Sequence, residues 1–370
     1  MFRITNLIKS TLNQEAQKTF DGNIVIWNFT NRCNLECLHC YSRASMDSKD
    51  IIDFETIKET IDEFKHNKIK FIIFSGGEPL IRKDIFKIAT YARSKGIITY
   101  LSTNGLLIND LNVERIIQTF NYIGISIDGD ESTHDYFRGQ IGAYKKSLNA
   151  MRLVKQHGGK VGIRFTMTKK TIDSLGFIFY LAETEEFDKI YLSHLVYSGK
   201  GFDNQNMDLS NSERVEAVNF IIDKAIEYYE NNKNIEIVTG NMECDAILFL
   251  KKISKKYPAF EKQFREKLIK WGGNSAGNKL LNIDSYGDVK PDPFFPMALG
   301  NITKKSFTYI WSLQKNLLLE NLRHYPRILD GKCKECEYLS ICNGGSRSRS
   351  YAVNGDLWQD DPSCYVGDMI

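Results

Sequence analysis

The stretch "NRCNLECLHCYS", Asn31–Ser42, sets Cys33, Cys37 and Cys40 on one short loop, with gaps of three and then two residues. Structural cysteines in a reducing compartment are usually scattered and singly buried, so this crowding asks for a metal. Three thiolates can hold three irons of a [4Fe–4S] cube and leave the fourth iron open to an outside ligand. A structural zinc wants a fourth ligand, which His39 would have to supply from between two of the cysteines. The spacing alone leaves both open.

The loop follows directly on "NIVIWNF" (23–29), the first of six β-rich runs. The others are "IKFIIFS" (69–75), "GIITYLS" (96–102), "YIGISID" (122–128), "VGIRFTM" (161–167) and "KIYLSHL" (189–195). Between them lie segments such as "DFETIKETIDEFKH" and "AYKKSLNAMRLVKQH", whose apolar residues recur at helical spacing. Six βα units in succession predict a parallel sheet with right-handed crossovers, doubly wound or curled into a barrel. In either case ligands belong at the carboxyl ends of the strands, where the three cysteines stand.

The next strand ends in "FSGGEP", Phe74–Pro79. Gly76 and Gly77 allow close backbone approach, and Glu78 before Pro79 can accept hydrogen bonds from an ammonium group. One βα unit after C-x3-C-x2-C, this turn resembles that of the radical S-adenosylmethionine (SAM) superfamily. The resemblance implies a partial (β/α)6 TIM-type barrel in which the three cysteines hold a [4Fe–4S] cluster and SAM chelates its open iron. Gly76, Gly77, Glu78 and Pro79 would hold the methionine amino group. Asn104 in "STNG", and Ser126 and Asp128 in "SIDG", match other SAM-contacting strand ends; simple turn chemistry is the plainer account of the last two. Arg164 on the fifth strand would point into the barrel, to pair a ligand carboxylate or to make a structural ion pair. His194 and Tyr197, with Lys200, in "SHLVYSGKG" end the sixth strand, where substrate contact competes with ordinary packing.

Beyond Gly201 the rhythm changes to long helices, a lysine-rich helical stretch over Ala246–Lys270, and a hairpin in "KLLNIDSYGDVKPD" with its turn at Tyr286–Asp288. The expected organisation is an N-terminal helix over 1–22, a barrel over 23–232 and an extension over 233–370. The extension carries Cys333, Cys336, Cys342 and Cys364, a set that suits a second [4Fe–4S] cluster or a zinc knuckle. The family's cysteine-rich extensions (the SPASM and twitch types) imply the auxiliary cluster. Asn282 and Asp292 stand where fuller extensions carry further ligands, so one auxiliary cluster is expected. Cys244 reads as a buried small hydrophobe.

"GNSAGNKLLNIDSYGDVKPDPFFPMALGNI" and "YLSICNGGSRSRSYAVNGDLWQDDPSCY" are similar to the haem-biosynthesis branch of the superfamily. That likeness implies an iron tetrapyrrole substrate and an external one-electron donor of the ferredoxin or flavodoxin type. It implies removal of acetate side chains from didecarboxysiroheme, giving Fe-coproporphyrin III through a 5′-deoxyadenosyl radical. Propionate removal in haem d1 synthesis, Fe-coproporphyrin III decarboxylation and peptide modification are the alternatives. Only about 22 residues precede the first strand, which disfavours a peptide-docking module. The carboxylate rim of a tetrapyrrole needs guanidinium partners, for which Arg347 and Arg349 in "SRSRS" are candidates, and its faces need aromatic walls such as Phe294, Phe295 and Trp358.

The 49 basic and 46 acidic side chains nearly cancel, to a net charge of +3, which gives no reason to expect nucleic acid. "MFRITNLIKSTLNQEAQKTF" is broken by Arg3, Lys9, Glu15 and Lys18, unlike a signal peptide, and no apolar run approaches the roughly 18 residues that would span a bilayer. A cytoplasmic enzyme without membrane contact is expected.

Overall fold

The computed structural model describes residues 1–15 and 22–369. Its strands are β1 (Phe2–Arg3), β2 (Asn23–Thr30), β3 (Ile69–Gly76), β4 (Ile98–Thr103), β5 (Tyr122–Ser126), β6 (Val161–Met167), β7 (Lys189–His194), β8 (Glu236–Gly240), β9 (Leu280–Ile283), β10 (Asp288–Lys290) and β11 (Gly300–Asn301). They form one sheet in the order β1-β8-β7-β6-β5-β4-β3-β2-β9-β10-β11. From β2 to β8 every neighbouring pair is parallel and consecutive. The six runs read from the sequence are β2 to β7; β8 is a seventh that the reading passed over. The parallel set curls without closing. β1 caps one edge antiparallel to β8, and β9 extends the other edge parallel to β2. The βα rhythm left a doubly wound sheet or a barrel, and the observed form is the open, partial barrel that the family resemblance implies.

Strand alternation sorts side chains onto two faces. Val25, Trp27, Phe29, Ile72, Phe74, Leu101, Ile123, Ile125, Ile163, Phe165, Ile190 and Leu192 are buried, packed into one core with the outer helices. The alternate set keeps partial exposure: Ile24, Ile26, Phe71, Ile73, Tyr100, Ser102, Tyr122, Ser126, Arg164, Thr166, Tyr191 and Ser193. These line the concave side. Gly124, Gly162 and Gly240 lie among them, and a Cβ there would meet Arg164 Cδ at 2.9 Å, the Tyr122 hydroxyl at 2.4 Å and the Tyr191 hydroxyl at 2.2 Å respectively. The three glycines let those long side chains lie flat against the sheet.

The outer helices start where local chemistry tells them to. Asp53 caps Phe54–Asp62 through Thr56 N–H, and Ser210 with Glu213 forms a capping box at Asn211–Glu230. The N-terminal helix runs over Ile4–Leu12, and residues 16–21 of the expected segment lie outside the described residues. The lysine-rich stretch is two helices, Asp245–Lys256 and Glu261–Trp271, parted at Pro258. The hairpin forms as β9 and β10, turning at Asp284–Gly287. No described helix is long and apolar enough to cross a membrane.

Candidate active site

The loop bearing Cys33, Cys37 and Cys40 leaves the carboxyl end of β2 and is held from three sides. From β3, Gly77 N–H donates to Thr30 O and Glu78 N–H to Arg32 O, both at 2.8 Å. A Cβ on Gly76 would lie 2.2 Å from Thr30 O, and one on Gly77 2.2 Å from Arg32 O. The two glycines were expected to admit a ligand; here they bring the turn against the cysteine loop. On the second side, helix Glu131–Arg138 ends beneath it: Leu38 N–H donates to Phe137 O, and the His39 ring stacks on Phe137 at 4.4 Å. On the third, Lys200 N–H donates to Cys40 O at 2.9 Å, and Asn204 donates to Leu38 O.

The thiols sit in a medium that opposes charge. Burial pushes Cys33 up to about 12 and raises Cys37 as well, with the neighbouring thiols adding to both. Arg138 Nη1 stands 3.6 Å from Cys37 Sγ, and Ala44 N–H donates to Cys40 Sγ at 3.5 Å. A cationic iron cluster would supply the positive charge that three buried thiolates need, so the donor set fits a [4Fe–4S] group.

Glu78 is fully buried. Its carboxylate accepts from the Thr103 hydroxyl at 2.8 and 2.9 Å, Asn104 N–H at 2.8 Å and Leu80 N–H at 3.1 Å. Burial nevertheless raises it to about 7. Pro79 opens a single helical turn after it. The Asn104 side chain donates to Asn34 Oδ1, tying "STNG" to the cysteine loop. Ser126 faces the concave side.

Asp128, expected among the SAM contacts, is engaged by the protein itself. It is completely buried, its Oδ2 receives Arg138 Nε at 2.6 Å, and its Oδ1 accepts Thr166 N–H at 3.0 Å. Both oxygens are occupied by the protein, and Asp128 acts on the site through Arg138. Arg138 itself escaped the sequence reading; "HDYFRG", one helix after "SIDG", was the available signal.

Four of the five expected substrate contacts have partners within the protein. His194 shares the outward parity of Ile190 and Leu192, and its Nε2 lies 3.1 Å from Asp245 Oδ2, while Asp245 Oδ1 accepts the Tyr365 hydroxyl at 2.6 Å. The Tyr197 hydroxyl is spent on Asp208 at 2.6 Å. Arg347 is buried and donates to the carbonyls of Gly344, Leu357 and Gln359. Arg349 is buried against Asp361 at 2.8 Å and donates to Leu195 O and Asn241 O, at the ends of β7 and β8. Arg349 fastens the extension to the barrel, while Arg347 ties the extension to itself. Phe295 likewise belongs to a small core with Leu322 and Leu357, against which Trp358 packs.

Arg164 remains. Its guanidinium lies 4.7 Å over the Tyr191 ring on the concave face, with no hydrogen-bond acceptor and no ion-pair partner among the described residues. Tyr41, also missed, reaches into the same space: its hydroxyl donates to Asn28 Oδ1 at 3.1 Å and its ring meets Phe294 edge-on at 5.3 Å.

In the extension, the thiols of Cys333, Cys336, Cys342 and Cys364 influence one another electrostatically, and burial pushes Cys333 and Cys342 up to about 12. Cys333 N–H donates to Asp360 at 2.9 Å. None of the eight cysteines is paired in a disulfide.

A partial parallel barrel with three loop thiols and a glutamate turn at the next strand end defines a radical SAM enzyme. Residues 27–177 match the model of the Radical SAM superfamily. The chain is 38% identical to a protein named pre-heme d1 synthase from Dinoroseobacter shibae, over 99% of this chain and 92% of that one. It is 35% identical to a protein named Fe-coproporphyrin III synthase from Methanosarcina barkeri, over 93% and 88%. Among solved structures, Streptococcus suis SuiB bound to S-adenosylmethionine superposes with a TM-score of 0.73 over 93% of this chain and 77% of that one, at 18% identity, a likeness of fold. The chain belongs to the radical SAM superfamily, in its haem-biosynthesis branch. It is an iron–sulfur enzyme that uses SAM.

Proposed function

We propose that this enzyme removes acetate side chains from didecarboxysiroheme to give Fe-coproporphyrin III. The observation that carries a tetrapyrrole substrate is near-full-length identity to two relatives named for haem-type products. Cys33, Cys37 and Cys40 hold the catalytic cluster, which when bound supplies the electron that cleaves SAM to a 5′-deoxyadenosyl radical. Glu78 accepts the SAM ammonium. Arg138, charged and paired with Asp128, steadies the sulfur of Cys37. The concave wall of Tyr41 and Tyr191 offers flat apolar contact, and Arg164 offers its guanidinium to a carboxylate of the ligand. Arg32 in the cysteine loop and Lys200 beside it, whose side chains make no hydrogen bond or ion pair among the described residues, add positive charge near the mouth.

A second [4Fe–4S] cluster sits on Cys333, Cys336, Cys342 and Cys364, and an external one-electron donor reduces the enzyme in the cytoplasm. The higher identity to the pre-heme d1 synthase favours a second reading, propionate removal from the same class of macrocycle. Mass spectrometry of anaerobic incubations with SAM and dithionite separates them: loss of acetate groups supports the first, loss of propionate carbons the second. An unchanged macrocycle beside a modified peptide overturns both.

A further inference from the structure

The helix Glu131–Arg138 is built to deliver its last residue to the cysteine loop. Asp130 starts it by accepting Thr133 N–H, and Gly139 ends it in the left-handed region at φ 72°. A Cβ on Gly139 would lie 3.0 Å from Glu36 O, so the chain leaves the helix against the loop itself. His134 Nδ1 accepts Asp128 N–H at 3.1 Å, which pins the helix to the segment that follows β5.

Arg138 is thereby set between two partners. Its Nε donates to Asp128 Oδ2 at 2.6 Å, and its Nη1 donates to Cys37 Sγ at 3.6 Å. Arg138 is 8% exposed and Asp128 is wholly buried, so the guanidinium has no route to water. Cys40 Sγ receives a neutral donor, Ala44 N–H at 3.5 Å, whereas Cys37 Sγ receives a charged one. An ion pair that only fastened the helix would need the carboxylate alone. Here the second arm of the fork is spent on a sulfur.

We propose that Arg138 sets the reduction potential of the catalytic cluster: its guanidinium donates to the Cys37 sulfur and raises the midpoint, while Asp128 fixes the guanidinium and limits the rise. The proposal rests on the reading of Cys33, Cys37 and Cys40 as the ligands of that cluster. A [4Fe–4S] core on three thiolates carries net negative charge, and the electron from the external donor adds to it, in part on the sulfurs. A charged N–H donor on one of those sulfurs stabilises the reduced form more than the oxidised one. Arg138 acts through Cys37 and is a positioning residue for electron entry.

The full chain, reconstituted anaerobically, is titrated potentiometrically by electron paramagnetic resonance. The catalytic signal is the one that changes when SAM is added and is missing from the chain carrying Cys33→Ala, Cys37→Ala and Cys40→Ala. If that chain keeps a SAM-responsive signal, the reading of the three cysteines fails and the proposal falls with it. Three variants are set beside the parent: Arg138→Lys, Asp128→Asn, and Arg138→Met joined to Asp128→Asn so that no buried carboxylate is left unpaired. All are expected to keep the parent's iron. Asp128→Asn keeps the donor and removes the opposing charge, and its midpoint is expected to move to more positive potential. The double variant has no donor and is expected to be the most negative of the four. Arg138→Lys keeps a charge, but a single ammonium does not hold Asp128 and Cys37 together, so its midpoint is expected between the parent and the double variant. Equal midpoints in all four proteins overturn the proposal, as does a double variant at or above the parent. A lysine variant that cannot assemble the SAM-responsive cluster makes Arg138 an assembly residue and overturns it as well.

Discussion

Glu78 accepts three hydrogen bonds in a place closed to water, and burial still raises its carboxyl to about 7. An ammonium binds the ionised form, so below that pH it must displace a proton. SAM affinity is expected to fall about tenfold per unit of pH on the acid side of 7 and to level off above it. Glu78→Gln removes the titration, flattening the profile and weakening binding above pH 7 by about 1.5–3 kcal/mol, with iron content unchanged. Anaerobic binding titrations across that range check this; parallel profiles for both proteins would reject the assignment. Asp128, also a buried carboxylate at a strand end, does something else. It neutralises Arg138 at 2.6 Å. Asp128→Ala leaves that guanidinium buried without a counter-charge, at a cost of about 3–5 kcal/mol in stability. A variant with undiminished denaturant resistance and weaker SAM binding would instead return Asp128 to the SAM-contacting set. The motif showed both acids; burial raises both carboxyls, and their different partners, Thr103 and Asn104 against Arg138, are delivered by other strands and a helix.

At the level of elements, the parallel strands from β2 to β7 were legible because each is a short apolar run bounded by turn residues, and the helices between them carry period-3.6 stripes. β8 was not, since "EIVTG" is broken by Glu236 and Thr239 and comes close after the polar "NNKN". The extension hid more. "SRSRS" alternates like a solvated surface, yet Ser346 caps a helix there and both arginines turn inward. The acceptors for Arg347 are carbonyls of the 344–359 segment, and those for Arg349 include the ends of β7 and β8. No local pattern announces a carbonyl acceptor. Arg349→Lys keeps the charge but cannot reach Asp361, Leu195 O and Asn241 O together. The expected loss is about 2–4 kcal/mol of stability at the joint between barrel and extension, read as a lowered urea midpoint. A variant of full stability but poor tetrapyrrole binding would put Arg349 back at the substrate.

Over the whole molecule, the charges of the barrel interior are mostly spoken for: Lys189 and Arg3 pair with Glu236 at its lower end, and Arg138 pairs with Asp128 at its upper end. The exception is Arg164, which crosses Gly124 to lie over Tyr191 and meets no acceptor among the described residues. A partly buried guanidinium without a partner adds little to stability, so its removal costs the fold little beyond a cation–π contact of about 0.5–1 kcal/mol. Its value lies in the ligand. Arg164→Met is therefore expected to keep its denaturant midpoint and its iron, and to lose about 1.5–3 kcal/mol of affinity for didecarboxysiroheme, the worth of one charge-assisted bond. Arg164→Lys recovers only part of this, because a point charge does not reproduce a planar fork. Two anaerobic titrations on each variant, one with SAM and one with the macrocycle, decide which carboxylate the guanidinium serves. A loss confined to the macrocycle supports the substrate role; a loss confined to SAM moves Arg164 to the SAM carboxylate. Unchanged affinity for both would mean that the concave face binds its ligands without it.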